Sequence, residues 1–363
     1  MHHHQLLAGP RGRRVLFELL LATEPKPAPS DMGRLGQLLW QTRVDTKSDE
    51  IGVAERLAPE ILATEIKSSP LPGTVDEQVL LQAVGRAVDA AMYWQLPDGI
   101  DRLLRREIVR EALHDVAVLV ADSAAAARWN DGFDHEQQVW VRLGHNWEDP
   151  APYAAQLGAD LGRLSRWREA FVTYDAGRGG DVGKGYDTRF FTGTWWSAPL
   201  QLGRHTSTKL GEYGATGLWW QEDSFGCECA ELVEIDVDFG ARIFTIHGES
   251  GWVRLCRDYP LDVTEDKHSS WGPATARNGR WVMPDWRRVS HDFDAVYLTV
   301  RGYLGTAGRV VKIEDRTASM IAGWAPGDTY WLRNCAHLSD RRSRWVGEYA
   351  SGGELVWREE SGG

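Results

Sequence analysis

The sequence predicts an α+β fold in which an N-terminal helical domain is followed by a strand-rich, Trp-rich α+β domain. Apolar residues recur at helical spacing through the first half, a Gly- and Asp-rich segment (YDAGRGGDVGKGYD) interrupts that pattern, and short alternating runs follow. A chain of 363 residues is long enough to hold two cores. We therefore place the helical domain at 1–173, a Gly-rich linker at 174–187 and the strand-rich domain at 188–363.

The helices of the first half are predicted from apolar faces and end signals. VLFELLLA, at 15–22, imitates the apolar region of a signal peptide, but Glu18 interrupts it and no small-residue cleavage site follows. We interpret it as an amphipathic helix. Asp98 or Asp101 is expected to cap a helix that starts near Ile100. The predicted helices cover 15–22, 35–39, 51–62, 75–92, 100–119, 134–142 and 152–167.

The second half is predicted to alternate strands with short helices. The run 231–239 places apolar residues on one face and acids on the other, as in a sheet with one solvated side. Ser250 and Asp285 are expected to cap short helices, GWVRLCRDY and WRRVSHDF. The other predicted strands cover 188–196, 295–300, 330–334 and 354–358.

Charge and hydropathy argue against two functional classes, nucleic-acid-binding proteins and membrane-spanning proteins. The net charge of −11 opposes the basic surface that a nucleic-acid-binding protein needs. Three basic clusters, Arg11–Arg14, Arg102–Arg106 and Arg341–Arg344, each lie beside acids or at the end of an element. No stretch approaches the roughly 20 apolar residues of a membrane span. We expect a cytoplasmic protein with neither a membrane nor a nucleic acid as its partner.

Tryptophan is the outlier of the composition, with 18 residues in the chain. Buried tryptophans supply large packing area, whereas exposed ones bind rings or partner proteins. We expect most of them in the core. The adjacent pairs Trp195–Trp196 and Trp219–Trp220 are the candidates for a wall that stacks on a ligand ring.

The motif CEC places Cys227 and Cys229 on the same face of a predicted strand. With His247 they would supply three of the four ligands that zinc requires, but the spacing differs from C-x-x-C and no fourth ligand is apparent. We interpret them as buried small side chains, and expect no metal. The acids that follow are interpreted as the solvated face of the strand: Glu234, Asp236 and Asp238.

RHTSTKLGEYG, at 204–214, is the most site-like stretch of the chain. It combines His205, Thr206, Ser207 and Tyr213, whose side chains can bind an anion or orient a polar ligand. A turn without a functional role uses the same residue types, so this alternative stays open.

Asp328, in GWAPGDTYWLR, follows a Pro-Gly turn and precedes an aromatic strand. Partial desolvation among those aromatic residues is expected to shift its pKa, which is a reason to suspect a functional role. The alternative is a structural role, in which the carboxylate closes the turn through its own backbone.

Three of these features resemble the ADP-ribosyltransferase fold: the strand RFFTGT that begins with Arg189, the Thr-Ser-Thr of HTST, and a late acid near a strand. The resemblance covers residues 186–358. It implies that Arg189 or His205 positions NAD and that Ser207 lies in the hydroxyl motif. It also implies that Asp328 stabilises the ribosyl cation, in the place where the family has a glutamate.

The leading hypothesis is an NAD-using ADP-ribosyltransferase or NAD glycohydrolase-like enzyme whose helical domain regulates it or recognises a protein target. Its ligand would be a small nucleotide. The alternatives are a non-enzymatic binding module with a Trp-lined sheet, and a hydrolase that uses Asp328 with His291 or His205. The candidate catalytic residues are Asp328 and His205, and the candidate NAD-binding residues are Arg189, Thr206, Ser207, Tyr213, Trp195 and Trp219.

Overall fold

A computed structural model describes residues 2–27, 32–44, 57–144, 164–166, 168, 195–199, 205–222, 226–350 and 355–360. Within these residues the fold is α+β, as predicted, with helices in the N-terminal part and mixed sheets in the C-terminal part. The linker predicted at 174–187 lies outside the described residues. None of the described helices is both long and apolar enough to cross a membrane.

The N-terminal helices follow the predicted caps in part. Asp98 caps the helix that starts at Gly99, where its side chain accepts a hydrogen bond from the Asp101 backbone N–H. The helix predicted over 100–119 is divided into three, because the chain turns at Arg105 and again at Leu113. The helices are α1 His3–Ala8, α2 Pro10–Thr23, α3 Arg34–Val44, α4 Pro59–Ser68, α5 Glu77–Asp89, α6 Gly99–Leu104, α7 Glu107–Ala112 and α8 His114–Ala121.

The helix predicted over 134–142 is wrong, because Gln138–Gly144 forms strand β1. Val139 and Val141 pack into one apolar cluster of the sheet, whereas Trp140 packs into a different one. This separation follows the period of two of a strand and not the 3.6-residue period of a helix. Most of the helix predicted over 152–167 lies outside the described residues, and 164–166 is helical.

Two sheets organise the rest of the chain. The larger has the order β12-β11-β3-β1-β2-β10-β7-β4, in which only β4 and β7 pair in parallel, and the smaller has the order β5-β6-β9-β8. The strands are β2 His205–Thr208, β3 Cys229–Val237, β4 Ile243–Ile246, β5 Pro260–Asp262, β6 Arg280–Pro284, β7 Ala295–Leu298, β8 Val311–Glu314, β9 Thr317–Ser319, β10 Asp328–Trp331, β11 Ala336–Tyr349 and β12 Leu355–Glu359.

Strand β3 carries the predicted alternation. Val233 and Ile235 are buried, whereas Glu234 and Asp236 pair with Arg341 at the solvated face. The strand ends at Val237, so the prediction that Phe239 extends its apolar face is wrong: Phe239 is fully exposed. Of the strand predicted at 188–196, residues 188–194 lie outside the described part and 195–196 adopt no regular structure.

Short helices connect the C-terminal strands, and one of the two predicted caps is confirmed. The Asp285 side chain accepts a hydrogen bond from the Arg288 N–H. Ser250 is not a cap, because the Gly248 carbonyl already accepts the Trp252 N–H at 3.3 Å and Ser250 lies in the first turn. These helices are α9 Thr216–Trp219, α10 Glu249–Asp258, α11 Thr264–Thr275, α12 Trp286–Asp292 and α13 Val300–Thr306.

One apolar core joins the N-terminal helices to the C-terminal sheets, since the same cluster contains Leu16 of α2, Leu80 of α5 and the indoles of the second half. Trp252, Trp286 and Trp324 form a triangle with ring centroids 6.2, 6.4 and 5.8 Å apart. These geometries are mostly edge-to-face, the arrangement that aromatic pairs favour. The expected core role of tryptophan is confirmed for six fully buried residues: Trp252, Trp271, Trp281, Trp286, Trp324 and Trp331.

The corner between α1 and α2 rests directly on α13. A Cβ atom at Gly9 would lie 1.8 Å from the Leu304 carbonyl oxygen, a backbone atom that cannot move aside easily. The φ of Gly9 is −83°, which any residue can adopt. Glycine is therefore required here for space and not for backbone conformation.

We expect Gly9→Ala to lower the free energy of unfolding by about 3 kcal/mol or more, because the methyl group must push α2 away from α13. Gly73→Ala is the control, since a Cβ at Gly73 meets nothing within 4 Å. Urea denaturation of both variants measures the difference. Equal transition midpoints would contradict the close contact at this corner.

Candidate functional site

Three predicted site residues meet where β2 and β10 pair. Asp328 lies opposite Ser207 in the ladder. The Ser207 hydroxyl donates to Asp328 Oδ1 at 2.8 Å, and His205 Nε2 lies 3.4 Å from Asp328 Oδ2. His205 and Ser207, two residues apart on one strand, are thus joined through the carboxylate between them. His291, the alternative partner in the hydrolase hypothesis, lies exposed on α12.

The carboxyl group of Asp328 is buried, and burial raises its pKa to about 6, against the opposing effects of His205 and Ser207. Gly217 of α9 closes over Ser207, because a Cβ there would lie 2.5 Å from Ser207 Oγ. The partly exposed member is His205, whose ring lies 5.2 Å from that of Tyr330. Any proton exchange between this cluster and a ligand would therefore pass through the histidine.

A cavity of about 590 Å³ lies beside this cluster, at the end of β2. Its lining includes Thr208, Thr216, Tyr213 and Tyr297. Thr208 connects the cavity to the cluster, since its N–H donates to Thr216 Oγ1 at 3.2 Å and its hydroxyl to the carbonyl of Gly327 at 2.9 Å. The wall combines polar, aromatic and aliphatic side chains, and Asp328 is not among the lining residues.

Of the other predicted ligand residues in the described part of the chain, Tyr213 lines this cavity, whereas Thr206, Trp195 and Trp219 do not. Thr206 points to the opposite face of β2, where its hydroxyl donates to Gln138 at 2.8 Å. Tyr213 lines the cavity and its ring lies 6.4 Å from that of Trp219. Trp195 lies elsewhere, 6.4 Å from the ring of Tyr93. Arg189 lies outside the described residues.

The cysteine motif is partly in the predicted position. Cys229 begins β3 and is buried, with its thiol 3.2 Å from the Gly144 carbonyl, whereas Cys227 precedes the strand. The two cysteines therefore do not share a strand face as predicted. Across the described residues no group of three or more His, Cys, Asp and Glu is arranged to hold a metal ion.

A second cavity, of about 580 Å³, lies between α2, the end of α5 and the segment 101–110, and we call it the arginine cleft. Among the described residues its lining holds eight arginines against four carboxylates. Two basic clusters that are separate in sequence meet here, the first from α2 and the second from α6 and α7. The eight arginines are Arg11, Arg13, Arg14, Arg86, Arg102, Arg105, Arg110 and Arg309.

A buried ion-pair network forms one side of the cleft. Arg11 pairs with Asp101 and donates to the carbonyl of Ala87 at 2.7 Å. Arg14 bonds Glu18 at 2.7 Å and Asp98 at 2.8 Å. These three carboxylate contacts join α2 to itself or to the start of α6, so this half of the cleft is neutralised within the protein.

Arg13 lies outside that network. Its side chain is only 6 % exposed, and its Nη1 donates to the carbonyls of Leu7 and Ala8 at 2.8 and 2.9 Å. No carboxylate in the described part of the chain forms an ion pair with it. Burial, followed by the charges of Arg110, Arg11 and further arginines, lowers the pKa of Arg13 to about 10. Its guanidinium is thus held among like charges without a counter-ion.

Several arginines that line the cleft also have buried hydrogen-bond donors without an acceptor in the described chain. The buried Nε atoms of Arg11, Arg13 and Arg309 have no hydrogen-bond partner within the described residues. Buried donors without an acceptor destabilise a fold by about 1–3 kcal/mol each. All three side chains line one cavity, where a ligand rich in negative charge would offset the charge of their guanidinium groups.

Behind the cleft, Glu222 carries a second unusual carboxyl group. It accepts the Tyr303 hydroxyl at 2.8 Å and the Gly323 N–H at 2.6 Å. Burial raises the pKa of Glu222 to about 8, although these hydrogen bonds and nearby Arg11 act in the opposite direction. The side chain is therefore largely protonated at neutral pH.

Sequence reasoning missed the cleft because it treated each basic cluster together with its own neighbours. The available signal was GPRGRR: three arginines at the start of a helix that otherwise reads VLFELLLA. Charges at the start of so apolar a helix must be buried or nearly so. Arg105 and Arg309 carried no such signal.

Comparisons with protein-family models, with curated proteins and with solved structures returned no match.

We expect the free energy of unfolding to decrease as the pH rises toward 8, in part through Glu222. The pKa of the Glu222 carboxyl is 4.5 as the reference value and about 8 in the folded protein. Between these pH values the folded protein holds a proton that the unfolded chain has released, and the stabilisation that this proton provides is lost as the pH rises through 8. Glu222→Gln should reduce this decrease in the free energy of unfolding by roughly 1–2 kcal/mol between about pH 6.5 and 8.5.

Denaturation midpoints across this range measure the effect, with Glu348→Gln at an exposed position as the matched control. Parallel curves for the wild type and Glu222→Gln would show that Glu222 is ionised in the folded protein.

Proposed function

We propose that this protein binds a small molecule through its phosphate groups, in the arginine cleft. The observation that carries the proposal is Arg13, a buried guanidinium with four arginines near it and no ion-pair partner in the described chain. A bound anion would neutralise this charge and restore the pKa of Arg13 toward its usual value.

Phosphate suits the donors of the cleft better than a single carboxylate does. Its oxygens can accept several charge-assisted hydrogen bonds at once, and the planar guanidinium matches them in pairs. The side chains of Arg11, Arg13 and Arg309 line the cleft together with the exposed Arg105. A pyrophosphate group would reach more of these donors than one phosphate.

The surroundings favour a small ligand over a nucleic acid. The protein carries a net charge of −11, so its field as a whole repels long polyanions. Eight arginines line one cleft of about 580 Å³, a volume within the range of small-molecule sites.

We expect pyrophosphate to bind saturably and to raise the melting temperature of the protein, since it binds the folded state alone. Arg13→Gln and Arg105→Gln should each weaken binding about tenfold or more, because each removes a charge-assisted contact. Calorimetric titration at low and high salt measures this, and high salt should weaken binding.

Arg341→Gln is the matched control, because this exposed arginine belongs to the third basic cluster and pairs with Asp236 at 3.1 Å, away from the cleft. Arg105→Gln keeps the test valid if Arg13→Gln does not fold, as Arg105 is exposed and its side chain forms no ion pair within the described residues. Equal pyrophosphate affinity in Arg105→Gln and Arg341→Gln would contradict the proposal.

A second candidate function is the NAD-dependent transfer or hydrolysis predicted from the sequence. It is favoured by Asp328, whose pKa is raised to about 6 and whose carboxylate lies 3.4 Å from the partly exposed His205. A carboxylate so placed can stabilise a developing oxocarbenium ion, and histidine can carry the proton. The neighbouring cavity offers Tyr213 and Tyr297 as ring contacts.

We expect an active transferase to quench tryptophan fluorescence on NAD addition and to release nicotinamide. Asp328→Asn should abolish release while keeping the hydrogen bond from Ser207, and His205→Ala should reduce it by about 10²-fold, the usual contribution of a general acid or base. Asp236→Asn, at an exposed strand position, serves as the control. If the wild-type protein releases no nicotinamide, this second function is excluded.

A further inference from the structure

A second depression, which we call the side groove, continues from the arginine cleft. It has a volume of about 560 Å³ and shares Leu96, Pro97, Arg105 and Ala274 with the cleft. Because these residues line both cavities, the side groove adjoins the cleft.

The wall at the end of α11 contains two residues whose types are unfavourable at their positions in the helix. Pro273 lies inside the last turn of α11, where proline removes a backbone donor. Ala276 is the one non-glycine residue with a positive φ, of 55°, in the described chain. Such a conformation is unfavourable for alanine, and glycine would relieve it. Both residues line the side groove, and the left-handed conformation of Ala276 forms the C-cap of α11.

The opposite wall combines apolar and planar charged groups. Leu96 is 53 % exposed, and Arg105 and Arg106 are exposed beside it. Guanidinium planes stack on the faces of flat rings, and leucine and proline pack against the same faces. An acyl chain would instead require a wall that is apolar throughout, and three arginines line this groove.

We propose that the ligand is a nucleotide, with its phosphates in the arginine cleft and its base in the side groove. This inference rests on the proposed function and adds the chemical class of the ligand. The base would lie against Leu96, Pro97 and Ala276, with Arg106 at its edge or face. A ring at this position explains why the groove is apolar on one wall and lined with guanidinium groups on the other.

The test compares the affinities of pyrophosphate, ADP, GDP and dodecyl phosphate for the full chain by calorimetric titration. We expect both nucleotides to bind at least about fivefold tighter than pyrophosphate, as stacking of a base adds affinity. Leu96→Ser and Arg106→Gln should remove most of that difference. Arg106 lines the side groove and not the cleft, so Arg106→Gln should change pyrophosphate affinity less than about threefold, whereas Leu96 lines both cavities and reports only on the difference between ligands.

Three results would overturn this inference. The first is equal affinity for pyrophosphate and the nucleotides, and the second is a loss of affinity in Leu96→Ser and Arg106→Gln that is the same for all ligands. The third is tighter binding of dodecyl phosphate than of ADP, which would assign the groove to an alkyl chain. Absence of any pyrophosphate binding would overturn the proposed function itself, so the two failures are distinguishable.

Discussion

The buried ion pairs of α2 are the interaction on which the rest of the structure depends. Arg11 and Arg14 are buried near the junction of α2, α5 and α6. There Arg11 forms an ion pair with Asp101, and Arg14 forms one with Asp98. Charges removed from water need partners, and removal of one partner of a buried pair typically destabilises a protein by about 3–5 kcal/mol. Asp98 also caps α6, so the cap and the ion pair position each other.

The ion pairs of Arg11 and Arg14 fix the position of α2. Because Arg13 lies on the same helix, it lines the cleft even though no carboxylate in the described chain balances its charge. Its two neighbours in the arginine triplet have carboxylate partners, and it has backbone carbonyls only. Residues that reduce stability without a compensating contact tend to mark functional sites. Arg13 fits that pattern, since the same desolvation that weakens the empty fold would strengthen the binding of an anion.

Burial disfavours the charged form of acids and bases alike in this protein, so it shifts their pKa values in opposite directions. It lowers the pKa of Arg13 and raises those of Glu222 and Asp328. Glu222 consequently remains largely neutral behind the cleft, so it does not cancel the positive charge in front of it. Asp328, buried beside the partly exposed His205, titrates close to the range of histidine itself and can exchange a proton with it.

The sequence alone determined the α+β class, the cap at Asp285 and the alternation of β3, and it narrowed the cap of α6 to Asp98 or Asp101, because these depend on neighbours within a few residues. It failed at β1, where only pairing with β2 and β3 makes 138–144 a strand. It grouped His205, Ser207 and Asp328 through a family resemblance, and the register of β2 and β10 decided their contact. Only the tertiary structure decided the arginine cleft, since Arg11 and Asp101 are 90 positions apart and the surroundings of a charge depend on every element packed around it.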